Sequence, residues 1–89
     1  MLRLRVKEVA QEKGFGQGRL ARAADTAINT VRNIYRDPYR EVTTTTINKL
    51  AKALDVPVTE LIEDVSEEVY KKESEEIYKK EKAQKESPP

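Results

Sequence analysis

The sequence predicts an all-α protein, made of five short helices followed by a charged helical tail. Apolar residues recur at three- and four-residue spacings through residues 1–65, the period of an amphipathic helix. Glycine and proline at positions 14, 38 and 57 divide this pattern into short segments. We expect helices to account for the whole domain, without a β-strand.

Composition narrows the function classes. A chain of 89 residues has room for one domain. It contains neither cysteine nor histidine, which removes thiolate ligands, disulfides and the commonest general base. No pair of carboxylates lies in an apolar setting, so we expect no enzyme, no metal and no cofactor. No stretch approaches the roughly 20 apolar residues of a membrane span, and the N-terminus, "MLRLRVKEVAQ", does not resemble a signal peptide. We therefore expect a cytoplasmic protein that does not enter a membrane.

The charge is distributed unevenly along the chain. Residues 1–56 carry eleven Lys/Arg and six Asp/Glu, a net charge of +5, whereas residues 57–89 carry six Lys and ten Asp/Glu, a net charge of −4. A basic front half suits a polyanionic partner. Two solvated faces of opposite charge would give the same composition.

The first helix is indicated by Val6, Val9 and Ala10, which share one helical face. Gly14 suits the left-handed end of that helix, and Phe15 then has to pack inward. A second helix runs from about Gln17 to Ala24.

The next stretch, residues 17–37, permits two interpretations. One continuous helix would place Leu20, Ala24, Ile28 and Val31 on a single face. Two helices separated by a turn at Asp25 fit equally well. The residues alone leave this choice open.

The fourth helix has clear start and stop signals. Pro38 ends the preceding helical pattern, and Thr43 is a suitable N-cap for the next helix. Its predicted buried stripe consists of Ile47, Leu50, Ala51 and Leu54. After Asp55, Pro57 suits the first turn of a fifth helix with apolar residues at Val58, Leu61, Ile62 and Val65.

The tail begins with a tandem repeat, "SEEVYKKE" followed by "SEEIYKKE". Each copy places glutamates four residues before lysines, which favours a helix. An eight-residue repeat overshoots two helical turns by about 80°, so the apolar residues do not form a continuous seam. We expect a thinly packed, fraying helix from about residue 66 to 80, a disordered end over 82–89, and a boundary between a domain at 1–64 and a tail at 65–89.

Residues 4–63 resemble the phage-repressor-like helix-turn-helix family, which includes the lambda repressor, Cro and xenobiotic-response-element domains. The similarity is carried by "EKGFGQGRLA", "LARAADTAINTVRNI" and "INKLAKALDVPVTELI". It implies a lambda-repressor-like DNA-binding domain of five helices, and it favours two helices with a turn at Asp25. Aspartate stands at 25, 37 and 55, where the family often has glycine. Ala10 and Tyr35 replace its usual Arg–Glu pair, so we expect the Tyr35 ring to lie against Ala10.

The resemblance also implies how DNA is bound. A recognition helix at about 28–36 would lie in the major groove. The implied base-reading residues are Ala27, Ile28, Asn29, Arg32, Asn33 and Arg36. The implied phosphate contacts are Gln17, Arg19, Arg40 and the exposed amides at the starts of the second and fourth helices, near Gln17 and Thr43. Arg3 and Arg5 form either a short basic arm or simply solvated charges.

Double-stranded DNA is thus the expected partner. We expect the protein to act as a small transcriptional regulator that binds a two-fold site as a dimer. The apolar candidates for the subunit contact are Val58, Ile62, Val65, Val69 and Tyr70, which fit packing onto their own domain equally well. The charged tail favours a second class of function. In that alternative the chain is a protein-interaction module, such as an antitoxin-like partner or an adaptor, with the tail holding a protein partner.

Overall fold

The computed structural model describes the backbone of residues 1–86 and the side chains of residues 1–82. The elements follow one another as β1 (Leu2–Leu4), α1 (Val6–Glu12), α2 (Gln17–Ala23), α3 (Ile28–Arg36), α4 (Thr44–Leu54), a 3₁₀ turn (Val58–Leu61), β2 (Ile62–Asp64) and α5 (Glu67–Glu86). The predicted mainly helical class is confirmed. The expectation of no strand is wrong, because β1 and β2 form a small antiparallel sheet.

One apolar core joins α1–α4 to the 3₁₀ turn and β1. Its buried members are Leu4, Val6, Val9, Ala10, Leu20, Ala21, Ala24, Val31, Ile34, Ile47, Leu50, Ala51, Leu54 and Leu61. The stripe predicted for the fourth helix is therefore buried as expected. Phe15 is only half-buried and covers the edge of the core. Its ring is partly shielded by the Arg19 guanidinium, whose carbon lies 4.4 Å from the ring centroid.

The stretch from 17 to 37 forms two helices with a sharp turn between them. Asp25 takes the left-handed conformation, with φ of 50°, and the Thr26 amide donates to the Ala21 carbonyl at 2.9 Å. The Lys49 ammonium, from α4, donates to the Asp25 carbonyl at 3.3 Å. These bonds satisfy carbonyls at the end of α2 and leave α3 free to start in a new direction.

The other helix ends mostly follow their sequence signals. Gly14 has φ of 74° after α1, and Asp55 has φ of 56° after α4, both in the left-handed region. Asp37, in contrast, is extended after α3, with φ of −136°. Thr43 is the N-cap of α4, and its Oγ1 accepts from the Thr46 amide at 3.1 Å.

The predicted fifth helix of the domain is replaced by the 3₁₀ turn and β2. Leu61 ends the turn fully buried, after which residues 62–64 become extended. The paired positions of the two strands are Leu2–Asp64, Arg3–Glu63 and Leu4–Ile62. A short apolar run fits a helix and a strand equally well, and here backbone pairing with β1 decides for the strand.

Tyr35 is half-buried and packs against the core from α3. Its side chain points inward, as expected, while its specific contact with Ala10 stays a prediction. Burial, and after it the negative charge of Glu8 on α1, raise the pKa of the Tyr35 hydroxyl. Tyr35 thus lies on the side of α3 that faces α1, away from the exposed polar face.

Helix α5 is longer than predicted, and none of its described side chains is fully buried, in line with the thin packing expected. It continues to residue 86, beyond the expected end at about residue 80, while residues 87–89 lie outside the described part of the chain. The expected disorder of the chain end stays a prediction. Tyr70 and Ile77 are half-buried, whereas Val69 and Tyr78 are 48% and 66% exposed. The two repeat copies therefore present different residues to the domain, as the angular offset requires. Polar contacts supply much of the docking, as described below.

Candidate nucleic-acid interface

Helix α3 has one buried face and one polar face. Val31 and Ile34 are buried in the core. The polar face carries Asn29, Arg32 and Arg36, which are exposed, and Asn33, which is half-buried. Their spacing places all four on one side of the helix. No acidic residue occurs in α3, so this face is a continuous set of amide and guanidinium groups.

Two side-chain pairs organise this face. Arg32 Nη1 donates to Asn29 Oδ1 at 3.5 Å, and Arg36 Nη2 donates to Asn33 Oδ1 at 2.6 Å. Each guanidinium is thereby aligned along the helix with most of its donors still free. Each asparagine contributes only its oxygen to the pair, which leaves its amide group as a free donor. The face thus offers forked donors with an acceptor beside each one.

The side chains at the start of α3 are less free to contact a ligand than those in the middle of its polar face. Ala27 is the exposed N-cap residue, with extended backbone. Ile28 is half-buried and packs against the core, so part of its side chain is already covered. A shallow groove between α2 and α3 runs beside both residues and is lined by Arg22 as well.

The predicted phosphate contacts divide into free and engaged groups. Gln17, Arg19 and Arg40 are exposed. The Arg19 guanidinium lies over the Phe15 ring, and the residue remains exposed to solvent. The Thr43 hydroxyl is engaged, because it accepts from the Thr46 amide and donates to the Thr46 hydroxyl at 3.0 Å. A phosphate contact through the other amides at the start of α4 stays a prediction.

Arg3 fits neither alternative stated for it, a free basic arm or a solvated charge. Arg3 lies in β1, and its side chain is 16% exposed. Its Nε donates to Glu73 at 2.8 Å, and its Nη2 donates to Glu73 at 3.0 Å and to Glu8 at 3.2 Å. Glu63 accepts a longer bond at 3.5 Å.

These bonds are reflected in the titration of the cluster. Hydrogen bonding to Glu73, and after it to Glu8, raises the pKa of the Arg3 guanidinium above its ordinary value.

Arg5 makes weaker contacts than Arg3. It donates to the Glu60 carbonyl at 3.5 Å and lies 3.9 Å from a Glu63 oxygen. We therefore remove Arg3 from the set of phosphate contacts, while a phosphate contact of Arg5, whose side chain is 35% exposed, stays a prediction.

The residues expected at a subunit contact are mostly used within the chain. Val58 and Ile62 pack against their own core, and Val65 is half-buried, with its amide bonded to the Met1 carbonyl at 2.9 Å. Tyr70 packs edge-on against Tyr39, with ring centroids 4.8 Å apart. Among these candidates, Val69 keeps an exposed apolar side chain.

Sequence reasoning missed a group of residues behind the interface. Tyr39, in the loop between α3 and α4, donates from its hydroxyl to Glu73 at 2.5 Å. Glu73 belongs to the tail helix, and Lys49, which binds the Asp25 carbonyl, belongs to α4. Tyr70, named above only as a candidate for the subunit contact, packs on Tyr39 instead. The repeat carries no signal that would distinguish Glu73 from Glu81, its counterpart in the second copy, because the partners of Glu73 are set by the fold.

Comparison with known families identifies the class of protein. Residues 5–67 match the family described as the Cro/C1-type HTH DNA-binding domain, which covers 63 of the 89 residues. The chain therefore belongs to this family of DNA-binding transcriptional regulators, which is not a family of enzymes. The predicted family is confirmed. No curated protein sequence matches the chain. Among the helices of residues 1–86, none is both long enough and apolar enough to cross a membrane.

Proposed function

We propose that the chain binds double-stranded DNA in a sequence-selective way, with α3 in the major groove, and acts as a small transcriptional regulator. The observation that carries this proposal is the polar face of α3, where two asparagines and two arginines lie opposite the buried Val31 and Ile34. In a helix-turn-helix domain the second helix of the motif enters the groove while the first crosses the backbone. Here those helices are α3 and α2.

Each residue type on this face matches a base edge. Arg32 and Arg36 present forked donors that suit the O6 and N7 of guanine. Asn29 and Asn33 suit the N6 and N7 of adenine, for which they need both an acceptor and a donor. On binding, each arginine exchanges its bond to asparagine for bonds to the bases. Ala27 and the exposed part of Ile28 suit the methyl group of thymine.

Phosphate contacts complete the interface. Gln17 and Arg19 lie on α2, which crosses the backbone in this family of motifs. Arg40 lies just beyond the end of α3, where it suits a flanking phosphate. Such contacts set the position of the protein without reading sequence. The net charge of +5 over residues 1–56 supports attraction to the duplex.

We further propose binding as a dimer on a two-fold site. The nine-residue α3 reaches few base pairs, so useful selectivity requires two half-sites about 34–36 Å apart. The exposed Val69 is the apolar candidate that intramolecular packing leaves for the subunit contact. Symmetry of the selected sites, together with the mass of the complex in sedimentation equilibrium, tests this part of the proposal.

The primary experiment selects bound sites from a random duplex pool and then measures the affinity of variants at several salt concentrations. Arg32→Ala should weaken binding to the selected site by about 1–3 kcal/mol and relax the preference at one base position. Arg40→Ala should weaken all duplexes alike and lower the salt slope by about one. Lys71→Ala, which removes an exposed positive charge from the tail helix, is the matched control for net charge.

The double variant Asn29→Ala/Arg32→Ala decides the assignment of the recognition helix. If it binds the selected site as tightly as the wild-type chain, α3 is not the reading element. If the wild-type chain selects no duplex at all, the protein-interaction alternative replaces the proposal.

A further inference from the structure

The loop that joins α3 to α4 is held in one conformation by its own first residue. Asp37 accepts from the Tyr39 amide through its side chain at 3.0 Å and from the Arg40 amide through its carbonyl at 3.3 Å. Pro38 fixes the backbone between them. This tight turn places the Arg40 side chain in solvent directly after α3.

Two other elements, β1 and α5, contact the same loop. The Leu4 amide, in β1, donates to the Pro38 carbonyl at 2.7 Å. Helix α5 holds Tyr39 twice, through the hydrogen bond to Glu73 and through the edge-on contact with the Tyr70 ring. The loop is thus fastened to elements near both ends of the described chain.

Glu73 is the residue that joins these contacts. Its carboxylate receives two bonds from the Arg3 guanidinium, at 2.8 and 3.0 Å, and the bond from the Tyr39 hydroxyl. Its side chain is only 29% exposed. Charge-assisted bonds in such a setting are stronger and more directional than those between neutral groups. Arg3 in turn belongs to β1, next to the residue that binds Pro38.

We propose that Glu73 and Tyr70 of α5 are positioning residues for the DNA-backbone contact of Arg40, an inference that rests on the proposed function. Both residues lie beyond the matched family region, which ends at residue 67. Phosphate contacts fix the register of a protein on the duplex, so the place of Arg40 matters as much as its charge. A loop held in its bound conformation also loses less conformational entropy on binding. The tail helix therefore acts through Tyr39 on the interface.

The test uses the full chain and a duplex carrying the selected site. Glu73→Gln removes the charge that holds Arg3 and Tyr39, and Tyr70→Ala removes the aromatic contact. Each should weaken binding about threefold to tenfold, in line with couplings inside one contact network. Each should also move the salt slope toward that of Arg40→Ala. Glu75→Gln, an exposed charge change two residues further along α5, should leave affinity unchanged.

A double-mutant comparison separates positioning from a general loss of stability. Glu73→Gln should add little to the defect of Arg40→Ala, because both remove the same contact. When Glu73→Gln is combined with Arg32→Ala, the two fold losses of affinity should multiply, because the Arg32 contact is independent of the loop. Amide exchange at Tyr39 and Arg40 should accelerate in Glu73→Gln and Tyr70→Ala, since their amides report on the turn.

The inference is overturned if the combined Glu73→Gln/Tyr70→Ala chain binds the site with wild-type affinity and salt slope. It is equally overturned if the fold losses of affinity caused by Glu73→Gln and Arg40→Ala multiply in the double variant. A wild-type chain that binds no duplex refutes the proposed function instead. Amide exchange then still tests the hold on the loop, and unaltered exchange in the combined variant rejects it.

Discussion

Replacing Leu50 with alanine should remove a large part of the domain's stability. Leu50 is fully buried at the centre of α4, which packs against α1, α2 and the 3₁₀ turn. With neighbours on three sides, the space left by the side chain cannot easily close. The free energy of unfolding should therefore fall by about 3–5 kcal/mol, the upper part of the range for buried leucines. A small domain has only about 5–15 kcal/mol in total.

The assay is thermal unfolding followed by circular dichroism, with urea unfolding as a second measure. A loss of 3 kcal/mol corresponds to a melting temperature lower by at least about 12 °C in a domain of this size. Leu2→Ala is the matched control, since Leu2 is 62% exposed and its loss should cost no more than about 0.5 kcal/mol. Melting temperatures within a few degrees of one another for the two variants would refute the core assignment.

Further predictions concern the tail contact and one helix end. Arg3, and after it Tyr39, hold the pKa of Glu73 below its usual value of 4.5, so the docking of α5 should weaken as the pH falls through that lowered pKa. Exchange of α5 amides measured down the acid range tests this, and a Glu73→Gln chain with the same pH profile would contradict it. Burial, and after it the bond to Glu73, raise the pKa of Tyr39 to about 12, so stability should fall as the pH rises from 10 toward 12. Tyr39→Phe should abolish that part of the alkaline loss, and an unchanged loss would assign it elsewhere. Gly14→Ala, at φ of 74°, should destabilise the domain by about 1–2 kcal/mol. Gly16→Ala, at φ of −80°, should stay within about 1 kcal/mol of wild type, and equal melting temperatures would reject the conformational argument.

Local patterns determined the elements whose signals lie close together in the chain. Ile47, Leu50 and Leu54 follow the helical period, and Thr43 stands where an N-cap is needed, so α4 was predictable with its buried face. Gly14 and Pro38 likewise marked the ends of helices. The polar face of α3 was predictable once the helix was placed, because the spacing of Asn29, Arg32 and Arg36 is itself helical.

The turn at Asp25 could not be predicted from the local sequence pattern alone. A continuous helix and two helices put the same apolar residues on one face, so the residues permitted both. The folded domain decides for two helices, since α3 packs across α2 and Lys49 from α4 binds the Asp25 carbonyl. That bond spans 24 residues of sequence and has no local signature.

Tertiary structure alone decided the sheet and the attachment of the tail. The alternation Leu2-Arg3-Leu4 is too short to predict a strand, and it becomes one only because residues 62–64 lie beside it. Arg3 meets Glu73 across 70 residues, and Tyr39 meets it across 34. Glu73 and Glu81 stand at the same position in the two copies of the repeat, so the repeat itself does not indicate which of them the fold brings against β1 and the α3–α4 loop. Helical periods are a property of neighbouring residues, whereas the partner of a charge is chosen by the path of the whole chain.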